Sequence, residues 1–139
     1  MPRAVFPSGS VVTMPGCVIA STAAAAAAPT DHRAKETFER FVDLMFRRRQ
    51  VRAAFESCVA REGFIDRSGF ASRAAAMAAL APRLGPTAPP IVVVHAVCEG
   101  DIGMVHLVDA PADGSEPRAR VDIFRMAEGR IVEHWSVAG

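Results

Sequence analysis

Apolar residues recur along this chain with two periods, and the change from one to the other divides it. Phe38, Phe41, Val42, Met45 and Phe46 fall at i, i+3, i+4, i+7 and i+8, a one-sided stripe that predicts an amphipathic helix with its apolar face in a core. Thr30 or Asp31 can cap its start. After Arg47-Arg48-Arg49, the residues Val51, Ala54, Phe55, Cys58 and Val59 repeat the period in a short second helix. Gly63 to Gly69 reads as a loop or short strand bounded by glycines. A third helix follows, with Phe70, Ala74, Met77, Ala81 and Leu84 on one face, Pro82 near its end and Gly85-Pro86 stopping it. From Ile91 the period becomes two. Ile91 to Val97 and Ile102 to Val108 are strands dense in β-branched residues around the tight turn Glu99-Gly100-Asp101, and Ala110 to Pro117 is a long loop.

The last twenty residues carry the most informative alternation. Two runs rich in β-branched and aromatic residues flank Ala127-Glu128-Gly129, which predicts a hairpin with a three-residue connection closed by a left-handed glycine. Pairing Met126 with Arg130 sets Asp122 opposite His134 and Arg120 opposite Ser136. One face then holds Arg120, Asp122, Phe124, Val132, His134 and Ser136; the other holds Val121, Ile123, Arg125, Ile131, Glu133 and Trp135. The first face is the candidate functional site. Burial of Asp122 between Val121 and Ile123 would raise its pKa, whereas Arg120 or a protonated His134 beside it would lower it. A carboxylate under that opposition can abstract a proton next to a carbonyl, and a histidine can return it. A hairpin knitted by a satisfied Asp-His or Arg-Asp pair is the alternative.

Composition narrows the classes. The chain has 139 residues, half of them apolar and 22% charged, which suits one globular domain over residues 30–139. Residues 1–29 are rich in Ala, Ser, Gly and Pro and end in the alanine run Ala23 to Ala28, and they read as a disordered or processed extension. Prolines and glycines interrupt any leader core, so the expected location is the cytoplasm, with export through an N-terminal leader as the alternative. No window reaches the roughly 20 apolar residues of a membrane span. The net charge of +1 leaves no electrostatic footprint for nucleic acid. Arg47-Arg48-Arg49 favours the negative end of the preceding helix. Cys17, Cys58 and Cys98 form no CxxC pair and read as reduced thiols. Four scattered histidines form no metal-ligand spacing, so no metal and no cofactor is expected. No GxSxG, P-loop or Rossmann glycine pattern occurs.

Three helices followed by four antiparallel strands predict an α+β fold, with the helices on one face of a curved antiparallel sheet and a pocket against its concave wall. From about Lys35 to Val137 the chain resembles the SnoaL-like branch of the nuclear transport factor two-like superfamily, a cone-shaped α+β fold. Glu99-Gly100-Asp101 before a strand containing His106, and Val121-Asp-Ile-Phe-Arg with Gly129-Arg-Ile-Val-Glu-His-Trp135, carry the resemblance. It implies a pocket acid or base at Asp122, with His134 and His106 nearby. Arg120-Val-Asp122 is also similar to the Arg-x-Asp pair of the limonene-epoxide-hydrolase group, in which the arginine orients the carboxylate and a second carboxylate across the hairpin shares the work. This chain reads His134-Trp135-Ser136 where SnoaL-like relatives read His-Trp-Asp. It reads Phe64-Ile65-Asp66-Arg67 where they carry Tyr-Ile-Gln-His, and it has no tyrosine. The resemblance implies pocket-mouth positions for Asp66 and Arg67, as ligand contacts or as a solvated loop salt bridge.

The expected function is therefore that of a pocket protein for a small apolar molecule, with cofactor-independent proton abstraction next to a carbonyl or epoxide hydrolysis as its chemistry. Asp122, His134 and His106 are the candidate catalytic residues. Arg120, Phe124, Ser136, Phe64 and Arg67 are the candidate substrate-binding residues. The resemblance also implies a homodimer through the sheet face that carries Trp135. A non-catalytic ligand-binding or dimerisation module of the same fold is the alternative.

Overall fold

The computed structural model describes residues 32–139 and the backbone of Val12–Met14 (β1) and Cys17–Ile19 (β2), which pair antiparallel. The remainder of the 1–29 extension, and the caps expected at Thr30 and Asp31, lie outside the described residues. The helix α1 spans His32–Val42 and continues through a π-helical turn at Asp43–Arg47, where the Arg48 N–H donates to the Asp43 carbonyl. Phe38, Phe41, Val42, Met45 and Phe46 are all buried, as their spacing predicts. The second helix, α2 (Val51–Cys58), buries Val51, Ala54, Phe55 and Cys58.

The third helix, α3 (Arg73–Leu84), starts later than its apolar pattern implied because the Ser72 hydroxyl accepts from the Ala75 N–H and caps it. Its inward stripe is Ala76, Met77, Leu80 and Leu84, while Ala74 and Ala81 are exposed. Alanine packs on either side of a helix, so an alanine-rich segment reports its buried face poorly. Arg49 donates to the carbonyls of Leu84, Ala88 and Pro89 and so fastens the end of α3. That is a different helix terminus from the one expected for the arginine run. Arg48 pairs with Asp43 at 2.7 Å.

The main sheet has five strands, ordered β3-β7-β6-β5-β4, with β3 at Ile65–Asp66, β4 at Ile91–Glu99, β5 at Ile102–Asp109, β6 at Arg118–Ala127 and β7 at Arg130–Ala138. Four strands are antiparallel, as expected. The two-residue β3 adds a parallel edge to β7, so the sheet is mixed. All three helices lie on one face and close a cone over Val105, Leu107, Phe124, Met126 and Ile131. Fully burying side chains of this size stabilises by roughly 1.5–3 kcal/mol each. Gly103 lets α1 settle on the sheet, since a Cβ there would fall inside the Phe38 ring.

The closing hairpin has a different register from the one its sequence predicts. Glu128 (φ 52°) and Gly129 (φ 72°) are both left-handed, so the connection is a two-residue turn in which Ala127 opposes Arg130. Asp122 consequently lies opposite Ser136, Phe124 opposite His134, and Arg120 opposite Ala138. A bulge leaves Val132 as the extra residue between Ile131 and Glu133. Ile131, expected on the outer face, is wholly buried in the core. Beyond the bulge the alternation resumes, and His134 and Ser136 share the inner face with Asp122 as predicted.

Candidate functional site

Along β6 the inner face presents Arg120, Asp122 and Phe124 in succession, and β7 brings His134 and Ser136 beside them. The short strand β3 supplies what the hairpin lacks. Its parallel pairing sets Asp66 next to His134 and is held by the Arg67 N–H donating to the His134 carbonyl at 2.7 Å. Asp66 Oδ2 stands 3.0 Å from His134 Nδ1. On the other side of the imidazole, Nε2 is 3.6 Å from Asp122 Oδ1, too long for a direct hydrogen bond. Arg120 Nε lies 3.4 Å from Asp122 Oδ2, an ion-pair separation without hydrogen-bond alignment. The His134 ring stacks on Phe124 at 4.8 Å and 16°, which fixes its plane. Asp66 is itself fixed by the Ser68 hydroxyl and N–H, both donating to Oδ1.

These polar groups form one wall of a cavity of about 160 Å³. The opposite walls are apolar: Phe41, Met45, Phe46 and Phe55 from the helical layer, Phe64 and Phe70 from the loops around β3, and Leu80 and Leu84 from α3. Asp122 Oδ1, His134 Nε2 and Arg120 Nε are each buried without a hydrogen-bond partner among the described residues. A ligand group that filled them would gain charge-assisted hydrogen bonds in a low-dielectric setting.

The neighbours of each group shift its titration in a definite direction. Burial opposes ionisation of Asp122, but His134 and Arg120 outweigh it and hold the carboxyl below its usual range. Burial likewise disfavours charge on His134, yet Asp122 and Asp66 outweigh it and raise the imidazole above its ordinary value. Asp66, also partly desolvated, is lowered by Ser68 and His134. These shifts favour an imidazolium between two carboxylates, with His134 Nε2 and Asp122 Oδ1 3.6 Å apart at the cavity wall.

Six of the eight residues singled out from the sequence line this cavity: Asp122, His134, Arg120, Phe124, Ser136 and Phe64. Two do not. His106 lies on the outer face of β5, because Gly103, Val105 and Leu107 take the inward positions, and its ring stacks on His95 with the Nδ1 atoms 3.5 Å apart. The Arg67 side chain turns outward to Glu133 (2.8 Å), which Arg125 also binds at 3.0 Å. Asp66 is the site residue whose place the linear pattern did not fix. The resemblance implies a pocket-mouth position for Asp66, and only the β3 to β7 pairing places it at His134. Cys58 is a buried free thiol whose pKa burial raises, in keeping with packing rather than nucleophilicity. Among the described residues no group of three or more His, Cys, Asp and Glu is arranged to hold a metal ion, and no helix is long and apolar enough to cross a membrane.

No protein-family model and no curated protein matches the chain. Solved structures do. A nuclear transport factor two-like protein of unknown function from Mesorhizobium loti superposes with a TM-score of 0.68 at 21% identity, over 81% of this chain and 97% of that one. A SnoaL-like polyketide cyclase candidate from Jannaschia sp. CCS1 gives 0.55 at 20% identity, over 80% and 88%. An LEH-like epoxide hydrolase from M. tuberculosis gives 0.56 at 12% identity, over 78% and 84%. The chain has the cone-shaped α+β fold of the SnoaL-like, nuclear transport factor two-like proteins.

Proposed function

We propose that this protein takes up a small, largely apolar carbonyl or epoxide compound and acts on it by cofactor-independent acid-base chemistry. The observation that carries the reading is the convergence of three unfilled buried polar atoms, Asp122 Oδ1, His134 Nε2 and Arg120 Nε, on a phenylalanine-lined cavity. In the carbonyl case Asp122 takes a proton from the carbon next to the carbonyl, and the electron pair moves onto the carbonyl oxygen. His134 Nε2–H then donates to that oxygen, leaving an enol. In the epoxide case Asp122 takes a proton from a water that attacks a ring carbon; the C–O bond breaks, and the alkoxide takes the proton from His134. Arg120 keeps Asp122 ionised and stabilises negative charge as it develops. Asp66 holds His134 through Nδ1 and keeps it protonated. The cyclase and epoxide-hydrolase names of two structural neighbours point the same way.

Asp122→Asn removes the base while conserving shape, and it is expected to lower turnover by at least 10²-fold in a protein that stays folded. Unchanged turnover in a variant with native circular dichroism would overturn the mechanism. The first experiment is a thermal-shift screen with small ketones, epoxides and aromatic polyketide fragments on the wild type and Asp122→Asn. A compound at about 100 times its dissociation constant stabilises by roughly 2.7 kcal/mol.

A second reading rests on the outer sheet face, where Val92, Val94, Val97, Ile102, Met104 and Val137 are exposed. That face supports a homodimer, and a chain that answers no ligand would act through it as a non-catalytic module.

A further inference from the structure

The cavity does not end at the catalytic wall. Arg83, Leu84 and Arg120 line both it and a larger groove of about 640 Å³ between the Pro86 to Pro90 segment and the loop before β6. Three arginines, Arg83, Arg118 and Arg120, line that groove against one carboxylate, Asp109. Among the described residues neither Arg83 nor Arg118 forms an ion pair. The strand period puts Arg118 on the same face of β6 as Arg120 and Asp122. One period is about 7 Å, so the backbone position of Arg118 lies about 14 Å along β6 from Asp122, whereas the Arg120 side chain folds back onto Asp122. The cationic groove therefore adjoins the cavity that carries the acid-base pair, with Arg83, Leu84 and Arg120 common to both.

We infer that the substrate is amphipathic: an apolar body that enters the phenylalanine-lined cavity, joined to a carboxylate that Arg83 and Arg118 bind in the groove. This deepens the acid-base reading and rests on it. A carboxylate suits guanidinium geometry through two parallel N–H···O bonds. The spacing calls for several bonds between the anion and the reacting carbon. Asp109 stands opposite Arg118 in the register of β5 and β6, and it repels an anion placed directly against it.

Calorimetric titration of the full chain with 4-phenylbutyrate and its uncharged counterpart 4-phenylbutyramide tests the inference. The wild type is expected to bind the acid about tenfold more tightly than the amide, with the preference shrinking at high salt. The double variant Arg83→Gln/Arg118→Gln alters two exposed side chains. It is expected to lose the preference, so that the acid binds no more tightly than the amide. Equal binding of acid and amide by the wild type overturns the amphipathic substrate and leaves the cavity reading standing. A preference that survives in the double variant overturns the groove as the anion site. Failure of both compounds to bind overturns the groove and the apolar cavity together.

Discussion

His134 is the residue on which the site turns, because both its nitrogens face carboxylates. Its raised pKa means that its pairing contributes stability fully below the unfolded imidazole value, about 6.5, and loses it as pH rises through the higher folded value. Asp122 and Asp66 have lowered pKa values, so their contribution is present above about 3.9 and is lost as pH falls through the lower folded values. All three act together between about pH 4 and 6.5. The difference in stability between wild type and His134→Ala should be largest in that window, at about 1–3 kcal/mol, since the variant removes the imidazolium between two carboxylates that keep Ser68 and Arg120 as partners. Denaturant titrations at pH 3, 5.5 and 9 check this; a pH-independent difference would contradict it. Turnover should follow a bell, its acid limb set by Asp122 and its alkaline limb by His134. Asp66→Asn removes one of the groups that raise His134, so the alkaline limb should move to lower pH while the acid limb stays. A rate loss without that shift would reduce Asp66 to a packing role. Asp122 and His134 were legible as partners in sequence because they share one hairpin. Asp66 was not, since it lies 68 positions from His134 along the chain.

At the level of elements, the two periodicities settled which segments are helices and which are strands. The stripe from Phe38 to Phe46 and the alternation from Ile91 onward left little choice. Register was harder. A two-residue and a three-residue connection both fit Ala127-Glu128-Gly129, and the bulge at Val132 allows the shorter one while keeping His134 on the inner face. Without that extra residue, burying Ile131 would turn His134 outward. The contact of α1 with β5 depends equally on one position. Gly103→Ala would drive a methyl group into the Phe38 ring, and is expected to lower stability by about 1–3 kcal/mol. Thermal denaturation at equal concentration measures it, and an unchanged midpoint would show that α1 can retreat freely.

For the whole molecule, the sheet separates two environments. Its inner face closes over the cavity; its outer face exposes Val97, Ile102, Met104 and Val137, with His95 and His106 stacked at one side. An apolar face of this kind is stable when another surface covers it. Met104→Glu places a charge near its centre. In sedimentation velocity the variant is expected to run as a monomer where the wild type runs as a dimer, with ligand response retained because the cavity lies across the sheet. A monomeric wild type would remove the dimer, and a dimeric variant would move the interface elsewhere.

Sequence alone determined the three helices and the four antiparallel strands, the α+β class, the core stripe of α1 and α2, and the grouping of Arg120, Asp122, Phe124, His134 and Ser136 on one strand face. All of these follow from local periodicity, which each segment carries within a few residues. Tertiary structure decided the rest: Asp66 at His134, Arg67 and His106 turned away from the cavity, and the arginine-lined groove that continues it. Those depend on which strand pairs with which, and on where a bulge falls. Such choices are made by packing between segments distant in the chain, so no single stretch encodes them.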